Sequence, residues 1–384
     1  MAPSTTDILA ALVGFDTTSR NSNLALIGWV SAYLDGHGVP YRISLDATGL
    51  KANLHATIGP PAAGGVALSG HVDTVPVDGQ AWTTDPFALA RRGGRLQGRG
   101  ATDMKGFVAC ALAAVPGLLA AGLRRPVHLL LSYDEEVGCL GAQRLVQDLD
   151  AGGLRPALCI VGEPTLMQPV LAHKGRLAAR VEVRGRSGHS SDPARGVNAV
   201  HAAAEAVAWL AGEARRMAAE GPFETGFDPP HSTVHVGVMQ GGTSLNMIPE
   251  RASFEVEYRG IPATDRDAEL DRLRTHAAAV IEPAMRAVDP AAGFTATVLN
   301  DVPALSLDPS HELAGLVRQL TGSNSTGKVS YGTEAGVFQA AGIPSIVCGP
   351  GDIAQAHQPD EWIAASELAA CDGFIRRLAA RLAA

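Results

Sequence analysis

The sequence predicts an α/β protein with a mixed sheet, interrupted by an inserted α+β domain of ferredoxin-like order. Three observations predict it. Short apolar runs at 66–69, 127–131, 157–161 and 343–348 are each bounded by Gly, Pro or polar residues, as suits strands buried on both faces. Between about 176 and 300 the pattern changes to alternating strands and two long amphipathic stretches. The 384 residues suffice for about two domains of roughly 100–200 residues each.

In chain order, residues 6–36 read as one helix with an apolar stripe, with Thr and Asp placed for its first turn. The uncharged stretch 106–122 is too short to span a membrane and is interrupted by Pro116, so it reads as a buried core helix. Strand 177–183, helix 198–219, strands 233–239 and 252–258, helix 265–287 and strand 294–299 follow. This β-α-β-β-α-β order is that of a split βαβ domain with its helices on one face. After it the α/β character returns, so the parse is 1–175 and 301–384 for one domain and 176–300 for the insertion.

Composition narrows the function. Hydrophobic residues make up 46% and charged residues 18%, enough to bury a sizeable core. The net charge of -8 and only 5% aromatic residues argue against a nucleic-acid or anionic-membrane partner. Cys110, Cys139, Cys159, Cys348 and Cys371 form no C-x-x-C pair, so reduced buried thiols are expected and a disulfide framework is not. Residues 1–20 lack a basic n-region and a small-residue cleavage site, so the reading is a cytoplasmic protein. No G-x-G-x-x-G, P-loop or G-x-S-x-G is present.

The chemistry is written where the apolar runs end. Gly70-His71-Val72-Asp73, Tyr133-Asp134-Glu135-Glu136 and Gly162-Glu163-Pro164-Thr165 each follow a run directly, and His357 follows the last run after a Gly-Pro-Gly turn. Asp103 closes the Gly-rich segment 98–103. Ligand sites in open α/β sheets lie beyond the carboxyl ends of strands, so these side chains are delivered to one edge. Oxygen and nitrogen donors without thiolate suit a pair of zinc or similar divalent ions. Asp73, two residues after His71, shares its face on an extended chain and can orient the imidazole. Glu135 and Glu136 point to opposite sides if the backbone is extended, so one can bind metal while the other serves as base.

The segments Ser69-Gly70-His71-Val72-Asp73-Thr74-Val75-Pro76 and Gly98-Arg99-Gly100-Ala101-Thr102-Asp103-Met104-Lys105-Gly106 resemble the two signatures of the M20 family of di-zinc peptidases and deacylases. The resemblance runs over essentially the whole chain. It is closest to the acetylornithine deacetylase branch, through segments 19–24, Gly162-Glu163-Pro164-Thr165, His173-Lys174-Gly175, 187–193, Gly332-Thr333-Glu334-Ala335 and His357-Gln358-Pro359-Asp360-Glu361.

The resemblance implies a zinc-peptidase-like catalytic domain and an inserted lid and dimerisation domain. It implies two zinc ions per subunit, with cobalt as a possible substitute. His71 and Glu163 would hold one ion, Glu136 and His357 the other, and Asp103 would bridge them. It assigns Glu135 as general base and Glu136 as ligand, an order the residues alone leave open. It implies that His189 reaches the site of the partner subunit in a homodimer and donates to the developing oxyanion. Asn246 and Arg259 match contacts to a substrate carboxylate, which a guanidinium pairs bidentately. Thr333 and Glu334 would lie at the substrate wall, with Glu334 facing a side-chain ammonium. Lys105 reads as structural, and Lys174 as the hinge into the insertion. Gly332 stands where relatives often carry Cys, which touches the presumed substrate wall.

The implied reaction is metal-dependent hydrolysis of N2-acetyl-L-ornithine to ornithine and acetate, in arginine biosynthesis. Another N-acyl amino acid, succinyl-diaminopimelate or a dipeptide is the alternative substrate. A metal-free binding protein on a peptidase scaffold is the remote one.

Overall fold

The structure, a computed structural model, describes residues 3–384. The chain divides into two units, Met1–Ala172 with Leu305–Lys328 and Thr333–Ala384, and His173–Ala304 with Val329–Gly332. The second unit thus includes the short return segment Val329–Gly332, which a continuous 176–300 insertion does not contain.

The first unit is built on a nine-stranded mixed sheet. Its centre is four parallel strands in the spatial order Val127–Ser132, Val66–His71, Leu158–Pro164, Ser345–Gly349. Every residue of these four strands is buried, as their unbroken apolar runs require. Two strands that no apolar run announced, Ala52–Ile58 and Tyr41–Leu45, extend the sheet antiparallel at one edge.

Helices cover both faces, and the strand alternation shows how. Ser69 bonds Glu334 beside the Ala335–Ala340 helix, whereas a side chain at neighbouring Gly70 would strike Met104 and Val108 of the other layer. Close approach of helix and sheet explains Gly162 as well: a Cβ there would lie 1.9 Å from the Phe107 ring. Lys105–Ala113, which carries Phe107, packs with Thr5–Val13 and Ala365–Ala383 on that face.

The expected single helix over 6–36 is two, Thr5–Val13 and Leu24–Gly36. Ser4 caps the first in a capping box with Asp7. The break falls where polar side chains offer the backbone better partners. Thr17 donates its hydroxyl to the Val72 carbonyl, Asp16 accepts the Thr18 N–H, and Asn23 exchanges bonds with the Ala52 backbone. The stretch 106–122 is likewise two helices, Lys105–Ala113 and Val115–Ala120, the second with proline in its first turn, where a missing N–H costs nothing.

The second unit holds a four-stranded antiparallel sheet in the order Thr233–Gly241, Arg251–Gly260, Gly175–Arg184, Gly293–Val302. Ala252, Phe254, Val256 and Tyr258 face inward at period two, beside Leu177, Ala179, Val181 and Val183. Helix Ala199–Glu220 and the pair Arg266–His276 and Glu282–Val288 pack on that face. This is the split βαβ arrangement its element order predicts. Among the described residues no helix is long and apolar enough to cross a membrane.

Candidate metal centre

The four parallel strands of the first unit end at one edge, and their ends carry ionisable side chains. His71 closes one strand and Glu163 lies near the end of the next. His357 follows Ser345–Gly349 on a residue with φ of 63°. Gly100, at φ 80°, turns the Gly-rich segment so that Asp103 arrives just before helix Lys105–Ala113.

Asp103 stands between two imidazoles. His71 Nε2 lies 3.0 Å from its Oδ1 and His357 Nε2 lies 3.2 Å from its Oδ2. Glu163 is 3.6 Å from His71 Nε2, and Glu136 is 3.1 Å from His357 Nε2. Two groups of donors, His71 with Glu135 and Glu163, and His71 with Asp103 and Glu136, have ligand atoms within 4.8 Å of one another. His71 thus belongs to both.

Glu135 and Glu136 reach the cluster for a reason other than strand alternation. The strand stops at Ser132, Asp134 takes φ 53°, and the N–H groups of Gly138 and Cys139 return to the Glu135 carbonyl. The pair therefore sits on a turn, which corrects the extended reading. Asp73 anchors that turn: its Oδ1 accepts the Glu135 N–H at 3.0 Å and its Oδ2 the Glu136 N–H at 3.3 Å. Ser19 donates to it at 2.7 Å. His71 Nδ1 is 3.0 Å from the Asp73 carbonyl and 3.4 Å from its carboxylate. A carbonyl can only accept, so Nδ1 carries a proton and Nε2 faces Asp103 and Glu163. Lys51 supports the turn from outside, bonding Asp134 and the Ser19 carbonyl.

The electrostatics follow from crowding carboxylates in a buried space. Burial, reinforced by the charges of Glu136, Asp103 and Asp73, pushes Glu135 up to about 8. Burial and the Asp103 charge raise Glu136 to about 7, and burial lifts Glu163 well above its ordinary value. Hydrogen bonds to Asp103 and Glu136 raise His357 to about 10. Burial opposes a charge on His71, yet its bonds to Asp103 and Asp73 raise it well above the usual imidazole value. Carboxylates outnumber imidazoles, no thiolate is among the donors, and protons fill the role of missing positive charge. That donor set fits hard or borderline divalent cations.

Glu334 lies elsewhere than expected. It is fully buried, and its two carboxylate oxygens each accept a hydroxyl at 2.6 Å, from Ser69 and Ser132. It sits beneath the strand ends with its acceptors engaged, and burial raises its pKa. An open wall facing a substrate ammonium is thus replaced by a buried support. Thr333 is also buried, its Oγ1 accepting the Ala335 N–H. Lys105 donates to the Phe15 carbonyl at 2.9 Å, in keeping with a structural role.

In the second unit, His189 is exposed and its Nδ1 pairs with Ser191 Oγ at 2.7 Å. Asn246 is exposed and accepts from the Ser244 hydroxyl. Arg259 shares Glu257 with Arg176, at 2.8 Å and 2.6 Å. Lys174 is fully buried and donates to the carbonyls of Pro229 and His231, tying down that loop. Ser132 and Lys51 carry no local signal of their roles, since each acts through a partner remote in sequence.

Fold and cluster together define a class, the α/β proteins that gather imidazoles and carboxylates at the carboxyl ends of parallel strands as a seat for divalent cations. Residues 67–381 match the description of peptidase family M20/M25/M40. The chain belongs to that family and is an enzyme of it. It is 38% identical over 377 residues to an acetylornithine deacetylase of Myxococcus xanthus, covering 97% of this chain and 96% of that one. It is 36% identical to an acetylornithine deacetylase of Shigella sonnei (strain Ss046), covering 89% and 86%. A solved M20 family metallo-carboxypeptidase from Sulfolobus solfataricus shares the fold with a TM-score of 0.78 at 17% identity, over 99% of each chain.

Proposed function

We propose that this enzyme hydrolyses the amide of N2-acetyl-L-ornithine, releasing acetate and ornithine for arginine synthesis. The observation that carries the reading is the placement of Asp103, one carboxylate oxygen toward each imidazole. The two relatives named acetylornithine deacetylase support the substrate.

In this reading His71 and Glu163 would hold one zinc ion, Glu136 and His357 the other, and Asp103 would serve both, with cobalt as a substitute. When bound, such ions polarise a carbonyl and lower the pKa of water. Glu135 is the general base. It takes a proton from the attacking water and gives it to the departing amine. Asp73 keeps Glu135 and Glu136 on their turn and His71 in the tautomer a metal requires. Glu334 supports the strand ends from beneath through Ser69 and Ser132, and Thr333 accepts the Ala335 N–H at the start of the next helix.

The second unit, as lid and dimerisation domain, supplies His189 to the partner's site in a homodimer, as donor to the oxyanion. Arg259 and Asn246 take the substrate α-carboxylate. A cytoplasmic location, with no nucleic-acid or membrane partner, fits the acidic composition.

The test is amine release from N2-acetyl-L-ornithine beside succinyl-diaminopimelate and N-acetylmethionine, using chelator-stripped protein with and without zinc. Zinc-dependent release greatest on acetylornithine is expected. Greatest release on another substrate overturns the substrate and keeps the chemistry, and release independent of any metal overturns the chemistry.

A further inference from the structure

The segment that delivers His357 runs on to a residue the hydrolytic scheme leaves unused. Glu361 is fully buried, and its carboxylate lies against the turn at 98–103. Its Oε1 accepts the N–H groups of Thr102 at 2.9 Å and Asp103 at 3.1 Å. Its Oε2 accepts the Gly100 N–H at 3.1 Å and Arg99 Nη1 at 2.8 Å, and its carbonyl accepts the Gly98 N–H at 2.8 Å. Successive backbone N–H groups make a concavity that suits an anion, and here the protein's own carboxylate occupies it. Arg99, equally buried, supplies the counter-charge that such a carboxylate needs away from water. Arg99 also reaches Gln80 Oε1, and Gln80 Nε2 donates to the His357 carbonyl at 2.9 Å.

The contacts form a closed circuit. It runs from the His357 carbonyl through Gln80, Arg99 and Glu361 to the Asp103 N–H, and the Asp103 and His357 side chains complete it at 3.2 Å. The need for it is physical. His71 and Glu163 lie in strands whose ladders hold them, whereas Asp103 sits in a glycine turn and His357 at positive φ, outside any strand or helix.

We infer that Glu361 is a positioning residue for the Asp103–His357 half of the metal centre. With Arg99 and Gln80 it fixes these two side chains relative to each other and so sets the affinity for divalent cations, without touching them: most for the ion that His357 would hold, and less for the other, which shares only Asp103. This rests on the metal centre proposed above.

The test uses Glu361→Gln, which keeps the shape but turns an amide NH2 toward N–H donors on one side or the other. Metal-free wild type and variant are titrated with Co2+ and Zn2+ against a chelator, reading two dissociation constants and the Co2+ absorption bands. Expected for the folded variant is a rise of about tenfold or more in at least one constant, with the other, which shares Asp103, rising by no more than that. The Co2+ bands of the weakened ion shift. With N2-acetyl-L-ornithine, kcat falls at stoichiometric metal and recovers in excess metal while KM holds. A purely structural role would lower Tm and leave the constants of the folded protein alone. Both constants within about twofold of wild type overturn the inference. Should Glu361→Gln not fold, Gln80→Ala, at a half-buried position, decides by the same titration, with unchanged constants overturning it. Wild type that binds no divalent ion overturns the metal centre itself, a result separable from a failure of the variant alone.

Discussion

Ser69 and Ser132 stand on adjacent strands and give their hydroxyls to the two oxygens of one buried carboxylate, Glu334, each at 2.6 Å. The double variant Ser69→Ala/Ser132→Ala removes both donors and leaves that carboxylate buried. A hydrogen bond to a charged group contributes about 1.5–3 kcal/mol, so the pair amounts to about 3–6 kcal/mol. That is a large share of the 5–15 kcal/mol or so that holds a typical domain together. The loss carries a pH signature. Burial already raises Glu334 above its ordinary value of 4.5, and removing the hydroxyls that favour its charged form raises it further. An acid with a raised folded-state pKa binds more protons folded than unfolded, so stability falls as pH rises from about 4.5 toward that folded value. The deficit should therefore be larger at pH 8 than at pH 5. Urea unfolding of metal-free wild type and double variant at both pH values measures it. A deficit under about 1 kcal/mol, or one that does not grow with pH, refutes the buried-support reading. So does intact stability with a raised KM for acetylornithine, which would return Glu334 to the substrate wall.

Three further outcomes are expected. Glu135→Gln should cut kcat by about 100-fold or more while both metal ions still bind, measured by turnover beside metal content; retained activity would remove Glu135 as base. Gly162→Ala should destabilise by about 1–3 kcal/mol or more, because the new Cβ would meet the Phe107 ring at 1.9 Å and the strand that carries Glu163 must shift; an unchanged urea midpoint would contradict the packing. His55 Nε2 lies 3.1 Å from His128 Nδ1, and burial and the neighbouring imidazole lower His55 to about 4. Its unfolded form binds the extra proton first, so stability is kept above about pH 6.5 and falls by up to about 3 kcal/mol as pH drops toward 4. A His55→Gln/His128→Gln variant should lose that contribution in urea titrations across this range, and a stability difference between wild type and variant that does not change with pH would refute it.

Much of the molecule was legible because its signals are local. A parallel strand buried on both faces needs an unbroken apolar run, so 127–131 and 157–161 announce themselves, and the inward alternation of Ala252, Phe254, Val256 and Tyr258 marks a one-sided sheet. Polar residues directly after such runs must lie at the sheet edge, which is why His71 and Glu163 could be placed together. Where the signal was average composition it failed: 6–36 is apolar enough for one helix, but the bonds from Thr17 to Val72 and from Asn23 to Ala52 interrupt it.

What tertiary structure alone decided are pairings between residues far apart in the chain. Glu334 meets Ser69 and Ser132 across 265 and 202 positions, and that contact makes it a buried support. Glu135 and Glu136 share one cluster because Asp73, more than 60 positions earlier, holds their N–H groups on a turn. Glu361 binds the N–H groups of the 98–103 turn in the same way. A residue's own chemistry and its near neighbours determine whether it can be a strand, a cap or a ligand. Which distant partner takes up its hydrogen bonds is set only when burial brings the segments together, because a polar group withdrawn from water must find its partner wherever the fold supplies one.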